Sequence, residues 1–187
     1  MQVGFGRLGT HFWGFEQHGV IPDIGTMGKP MGNGHPLAAV VTTRAVAEAF
    51  DTGMRYFNTF GGNPFSCDIG LAVLDEVERG GLQQRAAHIG RVFLERLRGL
   101  ADRHPLIGDV RGSGLYLGVE LVRDRTTKEP AKAEAQLVSG RMKEEGVLVQ
   151  PTGSHDNVLK VKPAMVFGTE HVDLFVQTLD AALSAPW

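Results

Sequence analysis

Apolar residues recur with a helical period in two central stretches of the chain. Residues 65–79 form the first stretch, and Asn63 and Pro64 before it are typical of an N-cap and a first helical turn. Residues 82–103 form the second, with apolar side chains three or four positions apart at Leu82, Ala86, Ile89, Phe93, Leu97 and Leu100. The sequence therefore predicts two consecutive helices, the second clearly amphipathic.

After residue 105 the apolar period falls to two, which is typical of strands with one covered face. This alternation is clearest over residues 115–122. The remaining pattern predicts strands over 107–111, 147–150 and 157–161, and helices over 131–145 and from the cap residue Thr169 to about residue 185. Residues 105–187 are therefore predicted to form a small α+β domain.

The residues before the two central helices alternate between short strands and turns. Residues 24–27 are predicted to form a short strand, and the apolar run 37–41 is typical of a fully buried strand. Thr43 can cap a short helix over 44–50. The predicted fold class is α/β, with residues 1–104 as the end of a large sheet domain.

Composition narrows the classes of partner. The 187 residues are 42% hydrophobic and carry a net charge of −2 without a basic patch, so nucleic acid is not an expected partner. The longest unbroken aliphatic run, 37–41, is too short to span a membrane. The single cysteine, Cys67, allows no internal disulfide, fits a reducing cytoplasm, and is predicted to be a small core residue.

Lys29 is the first candidate for chemistry. It follows the predicted strand 24–27 and lies between Gly28 and Pro30, and the proline disfavours the α region at the residue before it. A lysine held on such a turn with a partly desolvated amine can attack a carbonyl carbon. Its position alone also fits a surface lysine in a turn.

A second candidate is the glycine-rich loop 58–64, which leads into the first central helix. Backbone N–H groups at a helix N-terminus can hold an anion, and Thr59 adds a hydroxyl, although a capped loop without a ligand fits equally well. The seven histidines show no metal-ligand spacing, so no metal is expected. The pattern Gly4-x-Gly6-x-x-Gly9 has no strand before it, and we reject it as a nucleotide-binding loop.

Several motifs occur in an order that resembles one enzyme family. They are Gln2-Val-Gly-Phe-Gly-Arg7, Pro22-Asp-Ile24, Gly28-Lys29, Asn58-Thr-Phe-Gly-Gly-Asn-Pro64 and Val110-Arg-Gly-x-Gly114. The series resembles the C-terminal half of the class III, fold type I aminotransferases, which depend on pyridoxal 5′-phosphate (PLP). The resemblance implies the end of the large PLP-binding domain followed by the small C-terminal domain, in a homodimer that acts on a small amine or amino acid.

Within this family the chain resembles the branch of ethanolamine-phosphate and 5-phosphohydroxylysine phospho-lyases. The motifs that carry this resemblance are His11-Phe-Trp13, Gly32-Asn-Gly-His-Pro36, Tyr56-Phe-Asn-Thr-Phe-Gly-Gly62 and Leu159-Lys-Val-Lys-Pro163. Aminotransferases of the class usually have an arginine at the position of Lys160, where it binds the substrate's α-carboxylate. Because lysine lacks the planar fork of arginine, Lys160 fits a substrate without an α-carboxylate.

The resemblance assigns roles to four residues. Lys29 would hold PLP as a Schiff base and then move the Cα proton, and Thr59 would bind the cofactor phosphate of the neighbouring subunit. Gln2 would lie near the phenolic oxygen of the cofactor, and Lys160 near the substrate. In a phospho-lyase PLP is the electron sink, and the products are phosphate, ammonia and an aldehyde.

The chain departs from the family pattern at its start. The family's aspartate that pairs with the pyridinium nitrogen would lie two residues before Met1, so we expect a truncated chain that binds PLP poorly and turns over nothing. An imine absorbance that borohydride fixes on Lys29 would contradict this expectation. Two other interpretations stay open, an ordinary amino acid:ketoacid aminotransferase and a non-catalytic dimerisation remnant.

Overall fold

The computed structural model describes residues 2–186, and the chain forms two compact units, Met1–Gln83 and Gln84–Trp187. The domains predicted from the sequence, 1–104 and 105–187, stay a prediction. The second unit begins earlier than the predicted second domain because most of the long helix 82–103 packs into its core. No helix among the described residues is both long and apolar enough to cross a membrane.

The elements alternate along the chain as the hydrophobic pattern predicts. In the first unit they are β1 (Ile24–Met27), β2 (Ala39–Thr42), α1 (Arg44–Phe50) and α2 (Pro64–Arg79), with short 3-10 helices at Gly14–His18 and Lys29–Gly32. The connecting helix is α3 (Leu82–Arg103). In the second unit they are β3 (Ile107–Ser113), β4 (Tyr116–Leu121), α4 (Lys132–Glu144), β5 (Gln150–Thr152), β6 (Val158–Val161) and α5 (Thr169–Ser184).

The second unit is built on an antiparallel sheet in the order β3-β4-β6-β5. The period of two in β4 buries alternate residues, among them Leu117 and Val119, and leaves Tyr116 and Glu120 only half-buried. The buried side chains form one hydrophobic cluster with residues of α3, α4 and α5. One face of the sheet is therefore the core, and the other is more polar and accessible.

Helix α3 lies very close to the turn between β3 and β4. A Cβ atom on Gly90 would lie 2.2 Å from the carbonyl oxygen of Gly114, so only a glycine fits at that point of the helix. Gly99, also in α3, has no atom within 4 Å of its Cβ position. Close packing therefore requires a glycine at position 90 but not at position 99.

Two groups of hydrogen bonds fix the C-terminal end of α3, one made by Arg125 and the other by Asp180. The guanidinium of Arg125 donates to the carbonyls of His104 (3.0 Å) and Ile107 (3.0 Å), which satisfies backbone acceptors where the helix ends. His104 Nε2 is hydrogen bonded to Asp180 of α5 (2.6 Å), and Arg103 also donates to that carboxylate (2.9 Å). The hydrogen bond with His104 lowers the pKa of Asp180, and the charge of Arg103 acts in the same direction.

In the first unit β1 and β2 form a two-stranded antiparallel ribbon, with Met27 opposite Ala39. The buried strand predicted over 37–41 is wrong in both respects, because the strand lies at 39–42 and Val40 and Val41 are 67% and 59% exposed. No described residue forms a second layer over them. The prediction that Cys67 is a core residue is also wrong, since it lies on an exposed face of α2.

The predicted caps and ends of the helices agree more closely with the structure, although the cap predicted at Thr169 is wrong, because Gly168 is the N-cap of α5 and Thr169 is its first residue. Asn63 caps α2 by accepting a hydrogen bond from the backbone N–H of Ser66 (3.1 Å), and Pro64 is its first residue. The strand predicted over 147–150 begins only at Gln150. The residues before it instead end α4, because Val147 donates its backbone N–H to the carbonyl of Met142 (2.8 Å).

Candidate active site

Lys29 lies between β1 and the 3-10 helix that it begins. Pro30 disfavours the ordinary helical conformation there, and the backbone of Lys29 takes a φ of 50°, in the left-handed region that L-residues other than glycine rarely adopt. Its side chain is exposed, so the expected partial desolvation of the amine is not seen. None of the described residues forms an ion pair or hydrogen bond with that amine.

Residues 28–36, which include Lys29, form a compact turn that we call the lysine turn. Three backbone N–H groups donate to carbonyls three residues earlier, from Met31 to Gly28 (3.3 Å), from Asn33 to Pro30 (3.2 Å) and from His35 to Gly32 (2.9 Å). Asn33 is also left-handed, with a φ of 45°. The turn therefore contains two left-handed residues that are not glycine.

The lysine turn and the residue after it contact helix α2 at three points. His35 Nε2 is hydrogen bonded to Ser66 Oγ (2.8 Å), and its ring meets the ring of Phe65 edge to face at 5.9 Å. Leu37 lies so close to the helix that a Cβ atom on Gly70 would be 2.7 Å from its Cδ2. Sequence analysis missed these contacts, because their partners are about thirty residues apart, and only the glycine inside a helix was a visible signal.

Thr59 lies on the exposed loop before α2. The side-chain oxygen of Asn58 accepts hydrogen bonds from the backbone N–H groups of Phe60 (3.1 Å) and Gly61 (3.0 Å). Asn63 similarly occupies a backbone N–H at the start of α2. Asparagine side chains thus take up backbone donors that were expected to face an anion, and the Thr59 hydroxyl makes no hydrogen bond to the described residues.

Gln2 is exposed at the start of a series of turns that includes the glycine pattern at positions 4, 6 and 9. Gly6 and Gly9 have φ values of 73° and 76°, and the rings of Phe5 and Trp13 pack edge to face in the same stretch. The rejection of this pattern as a nucleotide-binding loop stays a prediction.

Lys160 belongs to the second unit, on the accessible face of its sheet. In the strand register Arg111, Gly118, Lys160 and Gln150 form one row across the four strands. Arg111 is paired with two carboxylates of the same face, which raises the pKa of its guanidinium. Lys160 is half-buried, and no described carboxylate forms an ion pair with it.

Three of the predicted site residues, Gln2, Lys29 and Thr59, therefore lie in the first unit, and Lys160 lies in the second. Their roles stay predictions. The amine of Lys29 can hold an aldehyde, the hydroxyl of Thr59 can hold a phosphate, and the amide of Gln2 can hold a phenolic oxygen. The chemistry of the three residues therefore fits PLP. A cavity of about 550 Å³ borders β1 and includes Gly28 in its wall. The described residues contain no cluster of metal ligands.

Residues 1–183 match the model of the family described as aminotransferase class-III. An alanine–glyoxylate aminotransferase 2-like protein of Drosophila melanogaster is 51% identical over 187 residues, which are 99% of this chain and 38% of that protein. The mitochondrial alanine–glyoxylate aminotransferase 2 of Homo sapiens is 40% identical over 185 residues, 98% of this chain and 36% of that protein.

Solved structures agree with these sequence matches. A phospholyase from Arthrobacter in complex with phosphoethanolamine has a TM-score of 0.94 at 43% identity, over 99% of this chain and 44% of its own. An amine transaminase from an uncultivated Pseudomonas species, in a PLP-bound form, has a TM-score of 0.87 at 33% identity, over 97% of this chain and 41% of its own. The chain spans less than half the length of these relatives, and its fold is that of the C-terminal part of a fold type I enzyme.

Proposed function

The chain belongs to the class-III aminotransferase family, and we propose that it supplies the C-terminal part of a PLP-dependent phospho-lyase. The substrate would be a phosphorylated amine such as phosphoethanolamine. The phospholyase from Arthrobacter, which is 43% identical and was solved with phosphoethanolamine, supports this choice among the reactions of the family. The single observation that carries the proposal is the lysine at position 160.

Lys160 supports a substrate that lacks an α-carboxylate. A guanidinium binds a carboxylate through two parallel hydrogen bonds, whereas an ammonium is a compact point charge that favours no planar anion. Lys160 is half-buried next to Gly118, which has no side chain, and no described carboxylate forms an ion pair with it. A positive charge in such a place suits a phosphate, which carries up to two negative charges.

In the proposed reaction the cofactor has one role and Lys29 has two. PLP, when bound, supplies a conjugated ring that accepts electrons from the substrate's Cα. Lys29 would hold the cofactor through its amine and later take the proton from Cα. The C–O bond at Cβ then breaks, and phosphate leaves with the bonding electrons. Addition of water releases ammonia and an aldehyde, so no ketoacid is consumed.

A homodimer is part of the proposal. The loop that carries Thr59 and the residues around it expose large aromatic side chains, with Tyr56 71%, Phe57 79% and Phe60 81% exposed. Exposed apolar surface of this extent is typical of an interaction site. A second copy of the protein would cover these rings and bring Thr59 to the cofactor phosphate of its neighbour.

An ordinary aminotransferase is the second candidate. The relatives from Drosophila melanogaster and Homo sapiens are named as alanine–glyoxylate aminotransferases or similar to them, which favours transfer of the amine to a ketoacid. In that reaction Lys29 would again move the Cα proton, no bond at Cβ would break, and the amino group would pass to the ketoacid. The two candidates therefore differ in whether phosphate appears without a ketoacid.

The test uses a joined protein, in which this chain replaces the matching C-terminal part of the Arthrobacter phospholyase. With PLP and phosphoethanolamine alone, we expect release of inorganic phosphate, measured colorimetrically, and loss of that release in Lys29→Ala. Lys160→Arg should raise activity with an α-amino acid relative to activity with phosphoethanolamine, because the planar fork can bind an α-carboxylate. Amine transfer to glyoxylate without release of phosphate would contradict the phospho-lyase and favour the aminotransferase. The chain alone is expected to release no phosphate.

A further inference from the structure

The lysine turn holds Lys29 in a conformation that a lysine disfavours. Its backbone is left-handed, which for most residues with a side chain is less stable than the right-handed conformation, whereas Asn33 belongs to a residue type that adopts it readily. Three backbone hydrogen bonds inside the turn, at 2.9–3.3 Å, offset part of that cost. Backbone strain of this kind persists only where surrounding contacts fix the chain, so those contacts decide where Lys29 stands.

The fixing contacts come from helix α2. His35, at the end of the turn, is hydrogen bonded to Ser66 Oγ, and the ring of Phe65 packs against its edge. The Ser66 backbone N–H in turn donates to the cap residue Asn63, which fixes the helix end on which His35 rests. A partner on a capped helix terminus is a firmer support than one on a mobile loop.

We propose that His35 is a positioning residue for Lys29. Its hydrogen bond to Ser66 attaches the lysine turn to the first turn of α2 and so sets the direction of the Lys29 amine. The same helix begins with the loop that carries Thr59, so one support holds both of the residues proposed to bind the cofactor. This inference depends on the role of Lys29 given under the proposed function.

Hydrogen exchange of the chain tests the support itself. In His35→Ala and in Ser66→Ala the backbone amides of Met31, Asn33 and His35 or its replacement should exchange at least tenfold faster, because the turn opens more often. His88→Ala, the same change at an exposed position of α3, should leave those amides as they are. Unchanged exchange in both variants would overturn the proposal.

The affinity of the joined protein for PLP tests the consequence for Lys29. We expect the dissociation constant, followed by the absorbance of bound PLP, to rise on the order of tenfold in His35→Ala. Ser66→Ala should act to the same extent, and the double variant no further, because both remove one contact. His35→Gln, which keeps a nitrogen at the position of Nε2, should restore most of the affinity.

The outcomes separate this inference from the proposed function. A lower melting temperature in His35→Ala with an unchanged dissociation constant for PLP would overturn the positioning role and leave the enzyme assignment intact. A joined protein that binds no PLP at all would contradict the proposed function, and the exchange rates would still decide whether the turn depends on His35. Equal losses in His35→Ala and His35→Gln would also overturn the role, because the hydrogen bond would then be irrelevant.

Discussion

The two units of the chain hold their residues in place by different means. The second unit has a continuous hydrophobic core, in which Phe93, Leu97 and Leu159 are fully buried. The first unit buries few of its large side chains, and Ile21 and Met54 are 94% and 82% exposed. In the first unit, turns, helix caps and single hydrogen bonds set the backbone. Three of the four predicted site residues lie in that unit.

On the proposed roles of these residues, the site would depend on directional contacts more than on burial. Burial stabilises a structure in proportion to the apolar area removed from water, but it acts on any apolar side chain of suitable size. A hydrogen bond such as that between His35 and Ser66 fixes a distance and a direction between two chosen atoms. A catalytic amine needs the second kind of restraint more than the first.

The largest expected effect compares one phenylalanine from each unit. Phe93 is fully buried and Phe57 is 79% exposed, so Phe93→Ala should lower the free energy of unfolding by about 3–5 kcal/mol and Phe57→Ala by less than about 0.5 kcal/mol. Urea unfolding followed by circular dichroism measures both. Similar losses of free energy of unfolding in the two variants would show that the first unit is packed as tightly as the second. That result would contradict the difference drawn between the two units.

A second prediction sharpens the comparison inside helix α3. Gly90→Ala places a methyl group against the carbonyl of Gly114, so it should destabilise the chain by about 1–3 kcal/mol. Gly99→Ala is the matched control, because its Cβ meets open space, and it should stabilise the helix by about 0.5–1 kcal/mol. Opposite signs in thermal unfolding support the close approach, and two stabilising changes would contradict it.

The smallest effect depends on pH and belongs to the second unit. The pKa of Asp180 is lower in the folded chain than in the unfolded one, so its contribution is present above the unfolded pKa and is lost as pH falls through the folded pKa. Asp180→Asn should therefore cost about 1 kcal/mol near neutral pH and almost nothing in strong acid. Urea unfolding at the two pH values measures this.

The control for this prediction is Asp102→Asn, which changes an exposed carboxylate near the end of the same helix α3. No described residue pairs with Asp102, so its replacement should cost little stability. A cost for Asp180→Asn that is equal at both pH values would show that the contacts with Arg103 and His104 act through shape rather than charge.

Most of the fold followed from residue pattern because the deciding interactions are local. The bounds of α2 and α3 follow from the cap at Asn63, the proline after it and the regular apolar spacing, all visible within one helix length. The strand over 37–41 was misplaced because an apolar run reports what a segment could bury. It does not report whether another layer is there to cover it.

The candidate site was predictable only in part. Lys29 and Thr59 were proposed from short ordered motifs, and their roles stay predictions. The backbone of Lys29 differs from the extended conformation expected before Pro30, because it is left-handed and begins a 3-10 helix. The contact of His35 with Ser66 was not predictable, since neither residue belongs to a spacing that signals a pair. The exposure of Lys29 was missed for the same reason as that of Val40, because solvent access is a property of the assembled layers.

The edges of the two sheets differ in how they meet other chains. Strand β5 is one of the two outer strands of the second unit and contains Pro151, which has no backbone N–H to offer to a neighbour. The ribbon of β1 and β2 has no proline in either strand, and Val40 is largely exposed on it. No proline would therefore oppose strand addition at this ribbon, so covering its edges would protect the protein from aggregation there.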